Sequence, residues 1–160
     1  MIRNVKVADA QIISEIYNYH VLNTIVTFDL NPISVDEISQ QIKNVTKKHP
    51  WIVYEENNKV LGYAYADTWK KRNAYNFTVE SSIYIMQNAI GKGIGKKLYE
   101  HLINDLKSRN IHSIIGGISL PNEASIAIHE KFGFKKIAHF KEVGLKFNKW
   151  IDVGYWQLKI

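Results

Sequence analysis

The chain has 160 residues, of which 46% are hydrophobic and 22% are charged, and this composition is typical of a single soluble globular domain spanning residues 1–160. It contains no cysteine, which excludes disulfides, thiolate nucleophiles and cysteine metal sites, and no apolar run approaches the roughly 20 residues of a membrane span. A formal net charge of +6 favours anionic partners, and the amino terminus lacks the apolar run of an export signal, which predicts a cytoplasmic protein.

The first third of the chain predicts one strand and two helices. Residues 2–5 are typical of a short strand, and Asp9 is predicted to cap a helix with one apolar face. A second helix is expected to begin at the capping box Ser34-Val35-Asp36-Glu37, where a serine and a glutamate three residues later satisfy each other's backbone N–H groups.

The rest of the chain predicts two further helices and the remaining strands. They follow in order as a hairpin at 51–55 and 60–66, a strand at 76–86, a helix with apolar residues every four positions from Ile94 to Leu106, a strand at 111–118, a helix at 123–132 ended by Gly133, and strands at 135–143 and 150–159. This β-α-α-β-β-β-α-β-α-β-β order predicts an α/β (α+β) fold, in which a mixed sheet carries helices on both faces.

The glycine cluster Gly91-Lys92-Gly93-Ile94-Gly95 lies between a predicted strand and a predicted helix. Backbone N–H groups in such a turn, together with the helix amino terminus, bind phosphate groups. Lys96 stands where a dinucleotide fingerprint needs its third glycine, and Lys97 stands where a P-loop needs serine or threonine. A tight turn without a ligand is the alternative, but the flanking lysines favour a pyrophosphate.

Together with this glycine turn, Ser82-Ile83-Tyr84-Ile85, Asn122-x-x-Ser125 and Gly133-Phe134 resemble the GNAT superfamily of N-acetyltransferases. The resemblance implies the GNAT fold, with a single mixed and mostly antiparallel sheet flanked by helices on both faces. Further motifs resemble the phosphinothricin and methionine sulfoximine acetyltransferase branch: Thr27-Phe28, Pro50-Trp51, Gly62–Ala66, Arg72–Tyr75, Thr78–Ser82, Leu120–Asn122, Val143-Gly144 and Asp152–Trp156.

This branch implies an enzyme that moves the acetyl group of acetyl-CoA to the primary amine of a small amino-acid-like acceptor. Acceptors of the phosphinothricin, methionine sulfoximine or methionine sulfone type are expected, with a role in detoxification or resistance. The resemblance also implies a homodimer. Two positions depart from the family pattern, because Ile90 stands where the superfamily carries glutamine or arginine, and Asn73 stands where the branch often has proline.

By the same resemblance, the co-substrate acetyl-CoA lies along one strand and over the glycine turn. Asn122 is placed beside the pantetheine arm, although a cap for the following helix is an equally good role for this side chain. No metal is implied, and the histidines show no close metal-ligand spacing. The other residues that the resemblance places on the coenzyme are Tyr84, Ile85, Met86, Lys92, Gly93, Ile94, Gly95, Lys96 and Lys97.

The catalytic residues that the resemblance implies are Glu80 and His129. Glu80 would take the proton of the attacking amine, and His129 would protonate or position the leaving thiolate. A backbone N–H near Ile85 would stabilise the oxyanion that develops on the thioester. The alternatives are a solvated carboxylate at a strand edge for Glu80 and a buried structural histidine for His129.

Three residues are candidates for holding the acceptor. Arg72 could bind its carboxylate or phosphinate through a bidentate guanidinium contact, and Tyr75 and Phe28 could form pocket walls. A solvated basic segment for Arg72 and core packing for the aromatic residues are the alternatives.

Two other functions remain open from the sequence. The basic surface and the aromatic residues Trp69, Tyr75 and Phe77 are compatible with a nucleic-acid-binding module, although no base-reading motif is present. An acetyltransferase of the same fold that acts on a peptide amino terminus or a polyamine is the third possibility. The favoured prediction has acetyl-CoA, a small amine and a second copy of the chain as partners, without nucleic acid or membrane.

Overall fold

The computed structural model describes residues 1–160 and contains seven strands and four α-helices, in the predicted order. None of the helices is both long and apolar enough to cross a membrane. The elements are β1 (Ile2–Asn4), α1 (Ala10–Asn23), α2 (Val35–Val45), β2 (Trp51–Glu56), β3 (Lys59–Thr68), β4 (Thr78–Ile85), α3 (Ile94–Ser108), β5 (Ser113–Leu120), α4 (Glu123–Lys131), β6 (Lys135–Lys146) and β7 (Lys149–Lys159).

All seven strands form one sheet in the order β1-β2-β3-β4-β5-β7-β6. Every neighbouring pair is antiparallel except β4 and β5, which are parallel and are connected through α3. The predicted mixed and mostly antiparallel sheet is therefore confirmed. The parallel pairing covers only Thr78–Glu80 against Ser113–Ile115, and beyond these residues the two strands part. The space between Ser81–Ile85 and Gly116–Leu120 is called the gap below.

Two hydrophobic cores cover the two faces of the sheet. On one face, Leu98, Leu102 and Leu106 of α3 are fully buried against the central strands, as their four-residue spacing predicts. On the other face, α1 and α2 bury Ile13 and Ile38 in a core of their own. The sheet is thus fixed from both sides, which holds the gap at its centre in a defined geometry.

The local signals for helix ends succeed except at one position. Ser34 and Glu37 form the predicted reciprocal capping box at the start of α2, and Gly133, which follows the C-cap residue Phe132 of α4, has a φ of +89°. Asp9 occupies the predicted N-cap position of α1, but its side chain makes no cap hydrogen bond. Its carboxylate instead accepts hydrogen bonds from the Arg3 guanidinium at 2.8 and 2.9 Å and from the Lys6 N–H at 2.7 Å.

We expect Ser34→Ala to lower the free energy of unfolding by about 1 kcal/mol, because it removes the oxygen that accepts from the Glu37 N–H. Ser39→Ala in the same helix is the matched control, since Ser39 has no such contact and alanine is a good helix former. Urea denaturation of both variants measures the difference. Equal stabilities of the two variants would contradict the role of the capping box.

Candidate active site

Two cavities open at the gap. The first, of about 490 Å³, contains the Glu80 side chain and is called the carboxylate cavity. The second, of about 480 Å³, lies over the glycine turn between β4 and α4 and is called the glycine-loop cavity. Val26 and Tyr84 line both cavities, so the two spaces adjoin each other. A ligand in one cavity can therefore meet a ligand in the other.

The amino terminus of α3 forms one end of the glycine-loop cavity. Gly93 precedes the helix at a φ of +75° and provides no side-chain cap, so the first N–H groups of α3 have no partner within the helix. These amides and the helix dipole favour an anion at this end. A Cβ on Gly95 would lie 3.3 Å from Ile128 of α4, so the absence of a side chain there allows close packing of the two helices.

The residues predicted to hold the coenzyme separate into two groups. Met86, Lys92 and Lys97 do not line the glycine-loop cavity, and the Lys97 ammonium lies 5.4 Å from the centre of the Tyr54 ring on another part of the surface. Asn122 lines the cavity and also caps α4, accepting from the Ser125 N–H at 3.1 Å. The other predicted coenzyme residues that line this cavity are Tyr84, Ile85, Gly93, Ile94, Gly95 and Lys96.

The backbone of Ile85 points into the gap. The Met86 N–H donates to the Leu61 carbonyl at 2.9 Å, and hydrogen-bonded pairs alternate along an antiparallel ladder, so the N–H and C=O of Ile85 point away from β3. His20 Nε2 lies 3.0 Å from this carbonyl and therefore donates to it. An Ile85 N–H held in this way is a suitable donor for a developing oxyanion.

Glu80 stands at the point where β4 and β5 part. It lines the carboxylate cavity with Ser82 and Tyr84, because alternate residues of a strand share one face. Burial raises the pKa of Glu80, and the nearby Asp67 carboxylate raises it further. A Cβ on Gly117 would lie 3.3 Å from Glu80 Oε1, so this glycine leaves room for the carboxylate. A partly buried carboxylate with a raised pKa is a suitable candidate for accepting a proton.

His129 lies in a buried hydrogen-bonded chain and lines neither cavity. Its Nδ1 is 2.7 Å from the Ser125 carbonyl, which can only accept, so Nδ1 carries the hydrogen and Nε2 accepts from the Tyr99 hydroxyl at 2.8 Å. The Ser81 hydroxyl then donates to the Tyr99 oxygen at 2.7 Å. Burial lowers the pKa of His129. The ring is therefore neutral and reaches the gap only through Tyr99 and Ser81.

The three residues predicted to hold the acceptor do not lie together. Phe28 lines the carboxylate cavity, whereas Arg72 and Tyr75 do not. Arg72 is exposed on the loop between β3 and β4, and the Tyr75 ring packs edge-on against Trp69 at 5.2 Å between centroids.

Several cavity residues were missed as site candidates. Gly117, Ser119 and Tyr155 come from β5 and β7, and Phe140 comes from β6, so they reach the cavity only through sheet pairing distant in sequence. Tyr155 belongs to the motif Asp152–Trp156 and could have been found from that resemblance. Tyr99 follows Leu98 on the buried face of α3, where helical periodicity predicts core packing alone.

Comparison with known proteins identifies the family. Residues 2–154 match the model of the acetyltransferase (GNAT) domain. The chain belongs to the GNAT acetyltransferases. The family prediction and the predicted enzyme class are thereby confirmed, and no group of three or more acidic or histidine side chains is arranged to hold a metal ion.

Relatives within the GNAT family are similar over nearly the whole chain. A phosphinothricin N-acetyltransferase of Streptomyces viridochromogenes is 34% identical, with 98% of this chain and 85% of the relative covered. An L-methionine sulfoximine/L-methionine sulfone acetyltransferase of Salmonella typhimurium is also 34% identical, with coverages of 96% and 90%. A solved GNAT structure, a phosphinothricin acetyltransferase from Sinorhizobium meliloti in complex with acetyl-CoA, has a TM-score of 0.97 at 34% identity, over 100% of this chain and 88% of that one.

Burial of three histidines in this GNAT domain predicts a loss of stability at mildly acidic pH. Burial lowers the pKa values of His20, His49 and His129. The unfolded chain therefore takes up protons below about pH 6.5 while these folded-state rings stay neutral, and each can cost up to about 1.4 kcal/mol per pH unit. Glu80 opposes this trend in the range where its carboxyl titrates, because its pKa is raised rather than lowered in the folded state.

Urea denaturation between pH 7.5 and 5.5 measures this dependence. The free energy of unfolding should fall as the pH falls. A flat profile in the wild-type protein would contradict the neutral state of the buried rings.

Proposed function

We propose that this chain transfers the acetyl group of acetyl-CoA to the primary amine of a small amino-acid-like acceptor of the phosphinothricin, methionine sulfoximine or methionine sulfone type. The observation that carries the proposal is the half-buried Glu80 carboxylate, with its raised pKa, beside an anion-binding helix terminus in the adjoining cavity. The named activities of the relatives support the choice of acceptor class.

The glycine-loop cavity is proposed to hold acetyl-CoA. Acetyl-CoA supplies an acyl carbon that its thioester sulfur activates. The amides at the start of α3 and the Lys96 ammonium would bind its pyrophosphate, and Asn122 and the backbone of Ile85 would contact the pantetheine arm. The acetyl-CoA bound to the Sinorhizobium meliloti relative supports this assignment.

Glu80 is proposed to take the proton of the acceptor's ammonium group, directly or through a water molecule. Deprotonation gives the amine the lone pair that attacks the thioester carbonyl, and the Ile85 N–H would stabilise the negative charge that develops on its oxygen. Both groups belong to β4, so one strand would fix the base relative to the oxyanion donor.

His129 is proposed to act as a positioning residue for the leaving thiolate. Its neutral ring orients the Tyr99 hydroxyl, and Tyr99 in turn accepts from Ser81, which lines the carboxylate cavity. A Cβ on Gly116 would overlap His129 Nε2, so a glycine of β5 leaves the space that this ring fills. Of the three hydrogen-bonded side chains, Ser81 would lie nearest the thioester sulfur.

Arg72 is proposed as the partner of the acceptor's carboxylate, with Phe28 as a pocket wall. Arg72 lies between β3 and β4, the two strands that carry Asp67 and Glu80 in register. Tyr75 lies three residues further along this loop, so it stays a candidate to contact the solvent-facing side of the acceptor.

A homodimer is proposed from the exposed apolar side chains of the hairpin β6-β7. Phe140, Val143, Leu145, Phe147 and Trp150 are each at least half exposed, although large contiguous apolar patches are uncommon on monomers. Location in the cytoplasm stays a prediction from the sequence, and a role in detoxification or resistance stays a prediction from the family resemblance.

Release of free thiol from acetyl-CoA tests the proposed function. We expect turnover with methionine sulfoximine, methionine sulfone or phosphinothricin, and none with a polyamine or a short peptide. Turnover with the peptide or the polyamine alone would contradict the acceptor class. Salt-sensitive binding of nucleic acid without any turnover would favour the nucleic-acid alternative.

Glu80→Gln should lower kcat by roughly 100-fold or more, because glutamine cannot accept the ammonium proton. In the wild type, kcat/KM should fall as the pH is lowered and Glu80 becomes protonated, and the variant should lose this acidic limb. Asp67→Asn is the matched control: it removes the like charge that raises the pKa of Glu80, so the acidic limb should move to lower pH. An unchanged pH profile in both variants would contradict Glu80 as the base.

Lys96→Gln should weaken binding of acetyl-CoA by about five- to tenfold, the effect of losing one exposed charge contact to a phosphate. Lys97→Gln is the matched control, because the Lys97 ammonium lies over Tyr54 and outside the glycine-loop cavity. Titration calorimetry at low and high salt measures both variants. Equal losses in the two variants would contradict the selective role of Lys96.

A further inference from the structure

The edge of β4 that faces the gap offers a ligand a short row of backbone groups. The Met86 N–H donates to the Leu61 carbonyl. Because hydrogen-bonded pairs alternate along an antiparallel ladder, both backbone groups of Ile83 and of Ile85 point away from β3. β5 has already parted from β4 at this point, and both isoleucines line the glycine-loop cavity. An extended ligand with amide groups can therefore pair with this edge as an added strand would.

One of these groups, the Ile85 carbonyl, is already occupied by His20 of α1. The oxygen can only accept, so His20 Nε2, which lies 3.0 Å away, carries the hydrogen. The ring is 6% exposed and packs against Tyr19 and Tyr84, at 5.5 and 5.7 Å between centroids. Burial lowers the pKa of His20, and the Lys146 ammonium lowers it further, so the ring is neutral. A ligand in the glycine-loop cavity thus meets a carbonyl that a fixed donor has closed.

Packing alone does not explain a histidine at this position. His20 continues the buried stripe of Ile13 and Ile16 at helical spacing, where an apolar side chain is expected. With the hydrogen on Nε2, the buried Nδ1 is an acceptor, and it has no hydrogen-bond partner within the chain. The ring satisfies the Ile85 carbonyl and leaves its own Nδ1 unsatisfied, so the number of unsatisfied buried acceptors does not fall. The advantage of the histidine therefore lies in which backbone group it closes.

The contact also fixes the peptide group that follows Ile85 from both sides. His20 binds its carbonyl, and its N–H, which belongs to Met86, donates to the Leu61 carbonyl at 2.9 Å. Because a peptide group is planar, two hydrogen bonds on opposite sides fix its orientation. The end of β4 therefore keeps its strand geometry without support from β5. The groups that stay open to a ligand are both backbone groups of Ile83 and the N–H of Ile85.

Resting on the proposed function, we infer that His20 is a positioning residue that sets the register of the pantetheine arm of acetyl-CoA along β4. The arm pairs with Ile83 and with the Ile85 N–H, and its pairing ends where His20 closes the carbonyl. A free carbonyl would let the arm pair one repeat further along, about 7 Å closer to the glycine turn. That shift would draw the thioester away from Glu80, which lies where β4 and β5 part.

Two substitutions separate this role from packing. His20→Met fills much of the same space without a hydrogen-bond donor, whereas His20→Gln keeps an amide N–H that can reach the Ile85 carbonyl. We expect His20→Met to lower kcat for thiol release by about tenfold or more, because a small misplacement of the reacting groups is costly. Its dissociation constant for acetyl-CoA, measured by titration calorimetry, should change by less than about threefold, since a shifted arm still pairs. His20→Gln should recover most of the lost kcat.

The split between kcat and binding decides between the two roles. Equal losses of kcat in both variants, or a loss that weaker acetyl-CoA binding accounts for, would overturn the inference and leave His20 with packing alone. A wild-type kcat in His20→Met would overturn it as well.

Nuclear magnetic resonance provides a readout that does not depend on turnover or on a variant. Titration of the wild type with coenzyme A should shift the backbone amide signals of Ile83 and Ile85, while His20 stays neutral with its hydrogen on Nε2. Unshifted amide signals, or a change of the His20 tautomer on binding, would overturn the inference, because the arm would then lie elsewhere or displace the ring. Absence of turnover with every amine, together with the expected spectra, would overturn the proposed acetyl transfer and leave the register intact.

Discussion

The parting of β4 from β5 is the constraint on which the rest of the structure depends. Their parallel pairing stops at Glu80 and Ile115, so the backbone groups that follow on the facing edges have no partner in the sheet. The gap provides unpaired polar backbone and space for a ligand in the same place. The residues around it are correspondingly small where strands or helices approach, as at Gly95, Gly116 and Gly117.

Most of the fold could be predicted from the sequence because its signals are local. The capping box at Ser34, the spacing of Leu98, Leu102 and Leu106, and Gly133 after α4 each depend on a few neighbouring residues. Asp9 stands at the predicted N-cap position but does not cap the helix with its side chain, for the opposite reason. A cap needs the carboxylate to face its own helix, but Arg3 of β1 binds it more strongly from outside the helix.

The candidate site could be predicted only in part, because side-chain direction depends on distant partners. Glu80 and Phe28 lie in the carboxylate cavity as expected, and the glycine turn adjoins the second cavity. Lys96 and Lys97 are adjacent in sequence, and both are predicted to contact the coenzyme. Successive helix positions point about 100° apart, however, and the aromatic ring of Tyr54 attracts the Lys97 ammonium. The position of His129 depends on Tyr99 and Ser81, which no spacing rule connects to it.

The raised pKa of Glu80 and the lack of cations in its cavity are two aspects of one requirement. A base that must accept a proton from an ammonium group benefits from a raised pKa, and an arginine or lysine beside it would lower that pKa. The cation proposed to bind the acceptor's carboxylate must therefore stay away from Glu80, which agrees with the position of Arg72 outside the cavity.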